Sequence, residues 1–130
     1  MATRGNVVFV TEDEETLEER LNKECIYVHW DMYPEYALEW ITDFLRLPGA
    51  ISRKYDDSYL TAWLIHYYLT NDKYRSLDDD DFTGIGVDSR VNRWAGVQYI
   101  YIIEPIDEED KNFKITVLNY DLAKYGEYTV

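Results

Sequence analysis

The chain has 130 residues, and its 26 acidic side chains against 13 basic ones give a formal net charge of −13 at pH 7. That length predicts one domain, 1–130, able to bury a core without disulfide or metal staples. The charge argues against direct binding to a nucleic-acid backbone, which needs a basic face to neutralise phosphates.

A hydrophobic fraction of 46% and an aromatic fraction of 16% speak for a folded globule rather than a disordered chain. Thirteen tyrosines are unusual, and because each ring pairs an apolar face with a polar tip they suit half-buried edges and interfaces. A lone cysteine, Cys25, excludes an internal disulfide and fits a reducing cytosol. The N-terminus carries no signal-peptide pattern. The longest apolar stretch, 62–69, is interrupted by His66 and is too short to span a membrane. The expected location is the cytoplasm of a host cell.

In chain order, residues 5–11 are rich in β-branched side chains and read as a first strand. Thr11 and Glu14 have the spacing of a capping box, which predicts a short surface helix running to about Lys23. Cys25 to Trp30 reads as a second strand, antiparallel to the first. Pro34 suits the first turn of a helix with Asp31 as a candidate cap, and Ala37, Leu38, Ile41, Phe44 and Leu45 continue it at helical spacing to about residue 47. Asp56, Asp57 and Ser58 offer caps for a second core helix near 58–70. Its apolar residues, Trp63 among them, surround most of the wheel and predict cover on several sides. A polar loop ending in Asp78, Asp79, Asp80 and Asp81 follows, then a glycine-containing strand or turn at 82–87. Residues 97–103 and 113–120 are the strongest strands and predict a hairpin joined by Pro105 and the acids Asp107, Glu108, Glu109 and Asp110, with a short edge strand at 128–130. The predicted fold is α+β: an antiparallel sheet, made of an N-terminal strand pair and a C-terminal hairpin, with two core helices on one face.

The most site-like passage is 29–35, where a strand meets a proline-started helix. His29, Asp31, Tyr33 and Glu35 are candidate ligand-binding groups there, and Thr83, Gly84 and Gly86 form a second glycine-bearing candidate. Neither is complete as chemistry. His29 and Asp31 are too few to make a metal site, and the glycine segment lacks the lysine of a P-loop and the third glycine of a dinucleotide fingerprint. No serine has a nucleophile-elbow context, so no catalytic residue, metal or cofactor is expected.

Residues 3–6 (Thr-Arg-Gly-Asn), 29–35 (His-Trp-Asp-Met-Tyr-Pro-Glu), 83–86 and 99–101 together resemble a widespread family of small uncharacterised proteins of phages and mobile elements. That family opens with a Thr-Arg-Gly strand and carries a His-x-Asp-Gly-Tyr-Pro-type junction. Met32 stands where the family has glycine or serine, and 36–38 lack its further glycines. The resemblance implies a virus or prophage context and no particular activity.

Charge and resemblance together suggest an accessory protein, a non-enzymatic counter-defence inhibitor of anti-CRISPR type. Its acidic, tyrosine-rich surface would occupy the nucleic-acid-binding site of a basic host protein, with Asp78 to Asp81 and Asp107 to Asp110 as candidate contacts. Contact with nucleic acid itself or with a membrane is not expected. Two other readings stay open: a small-ligand (nucleotide) binder or weak hydrolase built on His29, Asp31 and Tyr33, and an assembly protein whose acids serve solubility.

Overall fold

The computed structural model describes residues 3–11, 16–71, 84–92 and 96–130. The acidic run Asp78 to Asp81 and the candidate Thr83 lie outside the described residues.

The strands β1 (Arg4–Phe9), β2 (Cys25–Val28), β3 (Ile85–Asp88), β4 (Val97–Glu108), β5 (Lys111–Asn119) and β6 (Lys124–Thr129) form one sheet in the order β3-β2-β1-β4-β5-β6. The N-terminal pair and the C-terminal hairpin are antiparallel as expected. The two units join through β1 and β4, however, and those strands are parallel, with Gly5 opposite Tyr99 and Phe9 opposite Ile103. The sheet is therefore mixed rather than wholly antiparallel. A parallel neighbour needs a long crossover, and the chain between these strands supplies one through α2 (Pro34–Leu45), α3 (Pro48–Ser52) and α4 (Asp57–Thr70). Both faces of β1 are consequently covered: Val7 and Phe9 point into the helical layer, while Val8 and Val10 join a smaller apolar cluster on the other face.

Helix α2 buries Ala37, Trp40, Ile41, Phe44 and Leu45. It meets α4 through edge-on aromatic pairs, Trp40 with Tyr68 at 5.2 Å and Phe44 with Tyr67 at 5.6 Å. Asp56 caps α4 as its sequence position suggests, accepting the Tyr59 N–H at 3.0 Å. Among the described residues the cover is narrower than expected: α4 fully buries the stripe Leu60, Leu64 and Tyr68, Tyr59, Ile65, Tyr67 and Leu69 are partly buried against the core, and Trp63 is 48% exposed. The Trp63 ring packs along the helix surface instead, between Tyr59 at 5.7 Å and His66 at 5.2 Å. A helix rich in tyrosine shows no apolar stripe in its sequence because such rings serve inside and outside alike.

Other boundaries shift for local reasons. Helix α1 (Leu17–Leu21) starts after Thr16, whose hydroxyl accepts the Glu19 N–H, so Thr16 and not Thr11 is its cap. Helix α2 ends at Leu45, short of the expected residue 47, and Pro48 opens α3. The C-terminal hairpin runs past Pro105, which sits at a register irregularity, to a turn at Glu109 and Asp110, where Asp110 has φ +65°.

Ion pairs tie the layers together. The Lys54 ammonium reaches the Asp107 carboxylate at 2.7 Å, the Ile106 carbonyl at 2.7 Å and the Asn112 side chain at 3.3 Å, which fastens the α3–α4 turn to the hairpin tip. On the opposite face Arg20, Glu104, Lys114 and Glu127 alternate in charge from α1 across β4, β5 and β6. Among the described residues no helix is long and apolar enough to cross a membrane.

Burial sets the expected order of destabilisation along α4. Leu64→Ala should cost about 2–5 kcal/mol, since it empties core volume, whereas Trp63→Ala should cost under about 1 kcal/mol. Urea denaturation of the two variants checks this, and a Trp63 cost equal to or above that of Leu64 would place the indole in the core.

Candidate functional site: the junction after β2 and its tyrosine-lined hollow

Strand β2 stops at Val28, and the His29 N–H donates to the Gly84 carbonyl at 2.8 Å, holding the junction against the start of β3. Gly84 is required there. Its φ is +68°, and a Cβ would stand 2.4 Å from a ring carbon of Trp30. Gly86 lies within β3 opposite Tyr27, so these glycines serve a strand edge and not the start of a helix that could cradle phosphate.

Val28 faces the helical core, so Tyr27 and His29 share the other face of the sheet. The Tyr27 hydroxyl and His29 Nδ1 are 2.8 Å apart, and the imidazole stands edge-on to Trp30 at 4.7 Å. Asp31 then reverses the chain with φ +58°, a left-handed conformation that aspartate tolerates better than most residues. That conformation and its exposure set it outside the expected capping role: Tyr33 is the residue before α2, with no side-chain cap.

Met32 anchors the turn. Its N–H donates to the Thr3 carbonyl at 3.0 Å, its carbonyl accepts the Tyr101 hydroxyl, and its side chain lies on Gly5, where an added Cβ would come within 2.8 Å of the Met32 Cβ. Met32 and Tyr101 are both fully buried. Burial raises the Tyr101 hydroxyl pKa far above its ordinary value, with neighbouring Tyr99 and Tyr125 adding to the effect. The hydroxyl is thus a permanent donor. Pro34 follows as the first residue of α2, and Glu35 is exposed in its first turn, where the helix dipole favours an acid.

The turn therefore separates the candidates. His29 and Gly84 meet on one side with Trp30, and Tyr33 emerges on the other, where it lines an open hollow of about 340 Å³ together with Gln98, Tyr99, Asn119, Tyr120 and Asp121. Further rings pack against its lining: Tyr36 lies 6.3 Å from Tyr33, and Tyr125 stands edge-on to Tyr99 at 5.6 Å. Sequence reasoning missed Tyr99, Tyr120 and Asp121. The parallel register of β1 and β4 brings them to the junction, and no local pattern signals that register.

Two other hollows flank the fold. One of about 550 Å³ lies beside α1 between Leu17, Leu21, Arg90, Val91 and Leu122, and one of about 460 Å³ lies beside α4 between Lys23, Asp57, Ile65 and Val87. None of the three hollows joins His29 to Tyr33. Among the described residues no group of three or more histidine, cysteine or carboxylate side chains is placed to hold a metal.

The acids at the hairpin tip occupy the far end of β4, about 26 Å from Tyr99 by strand rise. Asp107 is engaged within the fold: the Lys54 ammonium, and after it the Tyr55 hydroxyl, hold its carboxyl below the usual range. Glu108, Glu109 and Asp110 are exposed. Cys25 is buried beside Val8 and Ile100, and burial, reinforced by Asp88, pushes its thiol up to about 12.

Comparison of the chain with models of known protein families, with curated proteins and with solved structures finds no match.

Two measurements check this geometry. Tyr101→Phe removes the donor to a buried carbonyl and should cost about 1–3 kcal/mol; an unchanged denaturation midpoint would mean that the Met32 carbonyl does not depend on it. Cys25, protonated and buried, should resist alkylation at pH 8 in the native protein and react at the ordinary rate once unfolded. Fast native labelling would place the thiol at the surface.

Proposed function

We propose that this protein is a non-enzymatic, host-directed inhibitor of counter-defence type that occupies the nucleic-acid-binding site of a basic partner. The observation that carries this reading is how the fold distributes its charge. Arg20, Lys23, Arg53, Lys54, Lys114 and Lys124 are engaged in ion pairs with its own acids. Meanwhile Glu18, Glu24, Asp31, Glu35, Glu109 and Asp121 are exposed. Six of the 13 cations are thus matched locally by acids, and the formal excess of 13 negative charges sets the sign of the outward field. Such a field steers association with a basic groove and competes there with phosphates.

Exposed aromatic rings supply what charge alone does not. Tyr33, Tyr55, Trp63, Tyr120, Tyr125 and Tyr128 are each between 38% and 52% exposed. Rings of this kind give contact area that survives screening. The small-ligand reading has less support, because His29 is already engaged by Tyr27 and stands apart from the hollow that Tyr33 lines.

Association kinetics with the captured partner test the proposal. Neutralising Glu108, Glu109 and Asp110 to amides, or separately Asp78 to Asp81 to asparagine, should slow association ~10-fold at low ionic strength and change dissociation little. Asp107 is left intact because it holds Lys54. The difference should shrink near 0.15 M salt, where the screening length is about 8 Å. Parental association rates in both variants at low salt would reduce the acids to solubility features and sink the proposal.

A further inference from the structure

The hollow at the junction combines three phenol rings from three separate elements. Tyr33 comes from the start of α2, Tyr99 from β4, and Tyr120 from the end of β5, with the exposed carboxylate of Asp121 next to it. Its described lining contains no lysine, arginine or histidine. The electron-rich faces of such rings attract cations, and a carboxylate beside them repels any anion. An apolar occupant would leave Asp121 and the Gln98 amide without partners. The turn that carries Asp121 is fixed in advance: the Asn119 side-chain oxygen accepts the backbone N–H groups of Asp121 at 2.9 Å and Ala123 at 3.1 Å, and Leu122 turns the chain with φ +65°. Tyr99 is likewise braced edge-on by Tyr125.

We propose that this hollow is the recognition site for an arginine side chain of the basic protein partner. The inference rests on the inhibitor reading above and names the group that the inhibitor would grip. A guanidinium fits better than an ammonium for two reasons. It is planar and weakly hydrated, so it stacks on a phenol ring at little desolvation cost, and its five donors can meet the Asp121 carboxylate and the Gln98 amide oxygen together. A second copy of this chain is the wrong occupant, because two bodies of charge −13 repel.

Titration with N-acetyl-arginine amide, followed by NMR of the tyrosine ring protons, tests the site without the partner. The expected result is saturable shifts of Tyr33, Tyr99 and Tyr120, with weaker binding of N-acetyl-lysine amide and none of the neutral isostere N-acetyl-citrulline amide. Tyr33→Ala and Asp121→Asn, both exposed positions, should each raise Kd at least about fivefold, the equivalent of roughly 1 kcal/mol. Leu47→Ala, an exposed position outside the lining of the hollow, should leave it unchanged. Equal binding of the citrulline probe, tighter binding of the lysine probe, or an unaltered Kd in both hollow variants overturns the assignment. The two readings fail separately. Arginine binding together with salt-insensitive association of the partner would remove the inhibitor reading and keep the site, while salt-sensitive partner binding without any arginine binding would remove the site alone.

Discussion

Between β4 and the turn that follows β2, a fully buried tyrosine donates its hydroxyl to a backbone carbonyl: Tyr101 to Met32. An unmade bond there would strand two polar groups in an apolar core, so the sheet and the turn are fixed relative to each other. The bond also crosses the join between the two antiparallel units. Met32 continues from β2, Tyr101 belongs to β4, and β1 lies between those strands, its Gly5 beneath the Met32 side chain and opposite Tyr99. A larger residue at position 5 would push the turn off the sheet. The contact joins β4 to the turn that leads into α2, with Tyr33 the next residue after Met32.

What the pin arranges is a division of labour between the two sides of the turn. His29, Trp30 and Gly84 lock the edge strand β3 to the junction. Tyr33 is turned outward towards the end of the hairpin, where Tyr99, Tyr120 and Asp121 arrive from the C-terminal half. The surface that results is aromatic and acidic at once. Such a surface can meet a basic partner by long-range attraction first and by ring contact second. The acids at the hairpin tip lie at the far end of β4 from this hollow.

Local chemistry made much of the fold legible. Pro34 fixed the start of a helix, Asp56 its cap at α4, and the β-branched runs at 5–11, 25–30 and 97–103 their strands. Where information had to cross the chain, the sequence was silent. Nothing in 4–9 or 97–103 states that these two strands are neighbours running parallel, because each places apolar residues on both faces, as Val7 with Val8 and Tyr101 with Ile102 do, and such a pattern does not name its partner. The outward Trp63 was equally hidden, since large apolar and aromatic residues spread around most of α4 leave no stripe to read. The candidate site divided in the same way. His29 and Gly84 each stood out locally, as a strand end and as a glycine, but the company Tyr33 keeps depends on residues far along the chain that only the register brings near.

An equilibrium competition experiment tests the central claim most directly: the complex between this protein and its captured partner is titrated with the nucleic acid that the partner binds, at fixed low salt. If the protein occupies the nucleic-acid site, its apparent Kd rises in proportion to the nucleic-acid concentration and no ternary species forms. A ternary complex, or an apparent Kd independent of nucleic acid, would contradict the account.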